Sequence, residues 1–116
     1  MRLTYTKNKK RIKTYCNIIL KNKLMFSNGG IALAIENIDE IEVVGLLYQK
    51  NRPIASCIIT KNTMMYLSNV AVFVKPKWRQ MGYGRKILEY TSQAVDYKLF
   101  PCKHTTPARK LYANIK

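Results

Sequence analysis

The run VAVFVKPKWRQMGYGRKIL, from Val70 to Leu88, constrains this chain more than any other stretch. Val70, Val72 and Val74 alternate as one face of a strand, and Ile87, Leu88, Thr91, Ala94 and Val95 then recur at helical spacing, with Arg85, Lys86, Glu89 and Gln93 off that face. Gly82 and Gly84 therefore stand at a strand-to-helix joint with basic residues on both sides. A helix that begins on glycines exposes unpaired backbone N–H groups, to which the helix dipole adds partial positive charge. Residues without a Cβ also let the backbone approach an anion and take positive φ. Such a joint binds phosphate, with Arg79, Arg85 and Lys86 adding charge around it. The spacing lacks the third glycine and the later acidic residue of a dinucleotide fold, and no GxxxxGK[ST] sequence occurs, so both of those phosphate loops are excluded.

The remaining segments supply an α+β frame. Leu3 to Thr6 reads as a short first strand. Lys7 to Met25 reads as an amphipathic helix, with Ile12, Cys16, Ile19, Leu20 and Leu24 on one face and Lys9, Lys10, Arg11, Lys13, Lys21 and Lys23 largely elsewhere. Ser27 to Gly30 is a break, and IALAIENIDEIE after it reads equally as a short helix or as the approach to a strand. EVVGLLYQ and IASCIIT, joined through Lys50, Asn51, Arg52 and Pro53, form a hairpin, and a third strand from Met64 to Val74 makes a meander. KLFPC is a brief apolar segment whose Pro101 suits an edge, a bulge or a place where strands separate. Thr106 as N-cap, Pro107 at the first helical position and the stripe Ala108, Leu111, Tyr112, Ile115 predict a terminal helix. With 116 residues, the expectation is one domain spanning 1–116, of α/β (α+β) class, with a mixed, mostly antiparallel sheet flanked by helices.

Twenty-one Lys and Arg against six Asp and Glu leave a net charge of +15, which attracts polyanions and acidic surfaces and repels small polyamines. Cys16, Cys57 and Cys102 are odd in number and lack CxxC spacing or a nearby histidine cluster. Neither a disulfide framework nor a metal site is indicated, and a reducing, cytoplasmic setting is expected. No apolar run reaches the roughly 18 residues of a membrane span, so no membrane association is expected.

Among phosphate-binding joints, this one resembles the acetyl-CoA signature of the GCN5-related N-acetyltransferases, in which a V-x-P-type strand end precedes [QR]-x-x-G-x-[GA] and a helix. Here the signature reads Arg79, Gln80, Met81, Gly82, Tyr83, Gly84, with Pro76 three residues ahead. PARKLYAN, containing Tyr112, is similar to the family's later helix, whose A-x-x-L-Y pattern places a tyrosine near the thioester sulfur. The likeness is carried by motifs from about Met64 to Tyr112 and is architectural before that.

The resemblance implies acetyl-CoA as cofactor, with main-chain groups around Val72, Phe73 and Val74 along the pantetheine arm. Its pyrophosphate would lie on N–H groups from about Gln80 to Arg85, a stretch that takes in Met81, Gly82, Tyr83 and Gly84. It also implies Tyr112 as the acid for the departing thiolate, since a phenol with a reference pKa near 10 stays protonated at neutral pH. A carboxylate or an ordered water deprotonates the amine in many members. No carboxylate stands on the strand before the joint, which leaves Glu42, or alternatively a solvated acidic turn at Glu36, Asp39, Glu40 and Glu42. His104, the single histidine, reads as a loop residue.

Only Ala113 to Lys116 follow Tyr112, so the family's final strand pair is expected to be missing, leaving the acceptor side open or closed by a second chain in a homodimer. The expected activity is acetyl transfer to a primary amine, a lysine on a protein or on another acidic or nucleic-acid-associated macromolecule. The competing expectation is a non-catalytic basic protein that binds nucleic acid or an acidic protein surface through such a scaffold, although no helix-turn-helix, RNP or zinc-finger sequence appears.

Overall fold

The structure is a computed structural model and describes residues 1–63, 68–96 and 99. Strand β1 (Arg2–Thr6) leads into helix α1 (Lys9–Lys21), followed by helix α2 (Gly30–Glu36) and a 3-10 turn at Ile38–Glu40. Strands β2 (Ile41–Gln49), β3 (Arg52–Thr60) and β4 (Val70–Val74) come next, then a second 3-10 turn at Pro76–Trp78 and helix α3 (Tyr83–Ser92). The described strands form one sheet in the order β1-β2-β3-β4, and each neighbouring pair is antiparallel. The segment from 30 to 41, open in sequence, is thus helix, turn and strand in succession. KLFPC and the terminal helix with Tyr112 lie outside the described residues, except for Leu99, which is buried.

Helix α1 is shorter at both ends than the segment from Lys7 to Met25 that its sequence pattern suggests. It starts at Lys9 because Asn8 caps it, its side-chain oxygen accepting from the Lys10 and Arg11 N–H groups at 3.0 and 3.2 Å. It stops because Lys23 turns left-handed at φ 53°, so that the Lys23 N–H donates to Leu20 and the Leu24 N–H to Ile19. Those two bonds are a Schellman closure, built here on lysine where glycine is usual. Leu24 is folded back into the core while Leu20, expected on the buried face, is exposed.

The β2–β3 hairpin closes through Lys50 and Asn51 at φ 50° and 65°, the two-residue turn whose twist matches the strands. Side chains then divide by alternation. On one face Val44, Leu46, Ile58 and Phe73 pack with Ile12, Cys16 and Ile19 of α1 and Ile31 and Ala34 of α2. On the other face Val43, Leu47, Cys57, Ile59 and Val70 pack with Ile87 and Leu88 of α3. A register shift between Ile41 and Val43 lets Ile41 join the first cluster and Val43 the second. Ala94 and Val95, expected within α3, lie past its end yet pack against the second cluster.

Contact between α3 and the sheet is closest at Gly45. A Cβ there would run into the Thr91 hydroxyl, so glycine is what lets the helix approach β2. Thr91 is fully buried, and among the described residues its hydroxyl has no hydrogen-bond partner beyond its proximity to the Cys57 thiol.

Candidate functional site

Strand β4 delivers the chain to the glycine joint. The Lys75 N–H donates to the Ile54 carbonyl at 2.9 Å and the Asn69 carbonyl accepts from Thr60 at 2.8 Å, so odd-numbered residues of β4 turn their main-chain groups toward β3. Alternation then directs the N–H and C=O groups of Val72 and Val74 to the edge away from β3. Phe73 is different from its two expected companions, because its main-chain groups belong to the β3 ladder opposite Ser56. Its side chain enters the α1–α2 cluster.

After the 3-10 turn the loop is held from both sides. Toward α3, the Trp78 and Tyr83 rings meet edge to face at 6.1 Å and pack against the second cluster. Toward α1 and α2, Arg79 donates from Nε to the Val74 carbonyl at 2.8 Å, while its guanidinium carbon lies 5.2 Å from the Phe26 ring centre and 5.4 Å from that of Phe73. Phe26 and Phe73 themselves meet edge to face at 4.9 Å. Arg79, expected as a charge beside phosphate, is thus also the strut that joins the loop to the α1–α2 connection. The connection has its own tie, the buried Ser56 hydroxyl donating to the Leu24 carbonyl at 2.7 Å.

Between these anchors Gln80 and Gly82 both adopt left-handed backbone, at φ 62° and 82°. Gly82 is the N-cap of α3, and no side chain among the described residues caps the helix. The first turn of α3 therefore presents backbone N–H groups without a side-chain acceptor, beside the exposed Arg85 and Lys86. A Cβ on Gly82 would meet nothing within 4 Å, so the space beside this residue is open. Paired amides at a helix N-terminus, a left-handed turn and local positive charge suit a pyrophosphate. Val72, Val74, Gln80, Met81, Gly82, Tyr83, Gly84 and Arg85 fall on one continuous path from the β4 edge into α3.

Glu42 is not brought to this path. It is half-buried in the bulged start of β2, with β3 between it and β4, roughly 10 Å away at two strand spacings. The joint lies at the opposite end of β4, about 13 Å further along. Glu40 accepts from Asn62 at 2.7 Å and ties two loops together. Tyr112 and His104 lie outside the described residues. Burial pushes the Cys57 thiol up to about 12, with the Thr91 hydroxyl acting weakly in the other direction, and pushes Cys16 up to about 11. Both stay protonated at neutral pH and are poor nucleophiles.

Phe26 had no signal in sequence beyond its place in the break before SNGG. The conformation of Gln80 was equally hidden, since glutamine carries no preference for left-handed backbone.

No protein-family model matches the sequence, and no curated protein is similar to it at the level of sequence. Solved structures are similar in fold. A probable acetyltransferase of unknown function from meticillin-resistant Staphylococcus aureus aligns over 97% of this chain and 86% of its own, at TM-score 0.51 and 18% identity. A predicted acetyltransferase with acetyl-CoA from Clostridium acetobutylicum aligns over 96% of this chain and 88% of its own, at TM-score 0.51 and 14% identity. A ribosomal-protein-alanine N-acetyltransferase from Brucella melitensis is more distant, at TM-score 0.42 and 14% identity over 78% of this chain, which spans 64% of that protein. The chain shares the fold of these first two structures, the fold expected from the resemblance, with the glycine joint at the β4–α3 connection.

Proposed function

We propose that the chain is an acetyl-CoA-dependent N-acetyltransferase that moves acetyl directly to a primary amine, a lysine on a protein or on another acidic macromolecular partner. The observation that carries this reading is the open start of α3 after the left-handed pair Gln80 and Gly82, on a fold shared with a probable and a predicted acetyltransferase. Acetyl-CoA supplies an acyl thioester. The chain's part is to hold pyrophosphate on N–H groups from Gln80 to Arg85, to offer the Val72 main chain and the Val74 N–H to the pantetheine arm, the Val74 carbonyl being held by Arg79, and to donate a proton from Tyr112 to the thiolate. Protonated, buried Cys16 and Cys57 support direct transfer over an acyl-cysteine route through either. The +15 charge favours an acidic macromolecule over a small polyamine as acceptor.

A second reading, a basic binding module without turnover, is favoured by α1, which carries exposed Lys9, Lys10, Arg11, Lys13 and Lys21 with no acidic residue in its first turn. Calorimetric titration with acetyl-CoA and desulfo-CoA at moderate salt, with ATP and a short DNA duplex as controls, separates the two. One-to-one binding selective for the CoA compounds is the expected result. Binding equal to the controls and fading with salt would leave the basic module.

A further inference from the structure

A second concavity lies away from the glycine joint, between the start of α1 and the 3-10 turn before β2. It encloses about 220 Å³, with Ile12, Ile38 and Ile41 among its lining and Lys9, Lys10 and Lys13 also around it. Ile12 and Ile41 belong to the core, whereas the three lysines are exposed. Asp39 is the one acidic residue lining it. The volume is below the roughly 300–1,000 Å³ of sites that enclose cofactor-sized ligands. It suits one apolar side chain, and three ammonium groups against one carboxylate favour acidic neighbours on either side of that anchor.

We infer that this groove docks an acidic peptide segment bearing a single aliphatic anchor residue. A nucleic acid is disfavoured, because among the described residues no aromatic ring lines the groove to stack a base, and Asp39 would oppose a phosphate. An acidic segment of an acceptor protein held here would be recruited over the same sheet face that carries α1 and α2. That role in delivering an acceptor rests on the proposed transferase activity, whereas the docking itself does not.

The test is therefore a binding measurement made without acetyl-CoA. The probe is a fluorescein-labelled heptapeptide with three glutamates on each side of a central leucine, followed by anisotropy at about 100 mM salt. Its twin carries serine at the centre. The expected results are saturable binding of the leucine peptide, at least fivefold weaker binding of the serine peptide, and at least tenfold loss in the double variant Lys9→Glu/Lys13→Glu. Lys21→Glu, one such charge reversal at the far end of α1, should leave affinity within twofold. The double variant is expected to fold, since an acidic residue at the first position of a helix suits its dipole. Ile38→Ser offers an uncharged check on the apolar lining, with the same fivefold loss expected.

Equal binding of the leucine and serine peptides overturns the groove, as does an equal loss on Lys21→Glu or no loss on the double variant. Displacement of the peptide by a DNA duplex whose own binding needs Lys9 and Lys13 makes the site a nucleic-acid contact and also overturns it. Acetyl-CoA affinity of the double variant, measured separately, should match the wild type. Failure of the transferase reading would appear only in that second titration.

Discussion

The Arg79 guanidinium carbon lies 5.2 Å from the centre of the Phe26 ring, a contact between the β4–α3 loop and the α1–α2 connection. Three attachments meet at this arginine: the Val74 carbonyl, the Phe26 ring and the Phe73 ring. An exposed cation–aromatic contact of this kind contributes about 0.5–1 kcal/mol. Its larger effect is on the loop, whose amides must point together to hold an anion. Arg79→Lys keeps the charge and loses the planar fork. It should weaken acetyl-CoA binding about fivefold with an unchanged salt dependence. In Arg79→Ala, which removes the charge as well, a clearly flattened salt dependence would show that Arg79 meets phosphate directly.

Two left-handed residues flank Met81, and they should respond oppositely to substitution. Gly82→Ala places a side chain where φ is 82°, in open space, so its cost is backbone strain of about 1–2 kcal/mol without a clash. Gln80→Gly removes the same kind of strain at φ 62° and should raise the denaturation midpoint, although glycine's greater freedom in the unfolded chain offsets part of the gain. Gly84→Glu, in the first turn of α3, should abolish acetyl-CoA binding through bulk and negative charge; unchanged affinity by calorimetry would move the phosphate seat elsewhere.

Gly45→Ala should destabilise by about 1–3 kcal/mol in urea unfolding, because the new methyl meets Thr91 on a fully buried helix face. Thr91→Ala in the same chain should restore part of that loss, a coupling that a double-mutant cycle measures directly. Additive effects would mean that α3 shifts freely and that the contact does not limit it.

Burial of Cys57 makes a pH prediction with a definite sign. The unfolded thiol titrates near 9 and the native one near 12, so the proton-bound native state is favoured below pH 9 and loses ground above it. Stability should fall from about pH 9 upward, and less steeply in Cys57→Ala than in the wild type. The same protection should keep Cys16 and Cys57 slow toward Ellman's reagent until the protein unfolds. Fast labelling of either in the native protein would contradict the burial.

Tyr112→Phe should lower kcat by tenfold or more while leaving acetyl-CoA affinity within twofold, as expected of a proton donor to the thiolate. Loss of kcat and affinity together would assign the phenol to packing or cofactor contact. A kcat unaffected at all pH values would remove it from the chemistry.

Alternation and punctuation were enough for most of the frame. Val70, Val72 and Val74 state a strand without further context, and Gly82 marks its turn into a helix, because both are properties of neighbouring backbone. The hairpin at Lys50 and Asn51 and the body of α1 are local in the same sense. Residues that depended on distant partners were not legible. Leu24 enters the core because the chain reverses at Lys23, and Glu42 is separated from the joint by β3, which only strand order can reveal. Phe73 has its main chain in the ladder because of register, a relation between two strands that neither states alone.

By itself the sequence determined a glycine joint between a strand and a helix, a basic exterior and the class of sheet that carries them, since periodicity and charge are written residue by residue. The tertiary structure decided that Arg79 serves as a strut, that Gly45 admits α3, and that Phe26 reaches the β4–α3 loop. Those facts arise when segments far apart in the chain are pressed together, and contact of that kind has no period along a sequence.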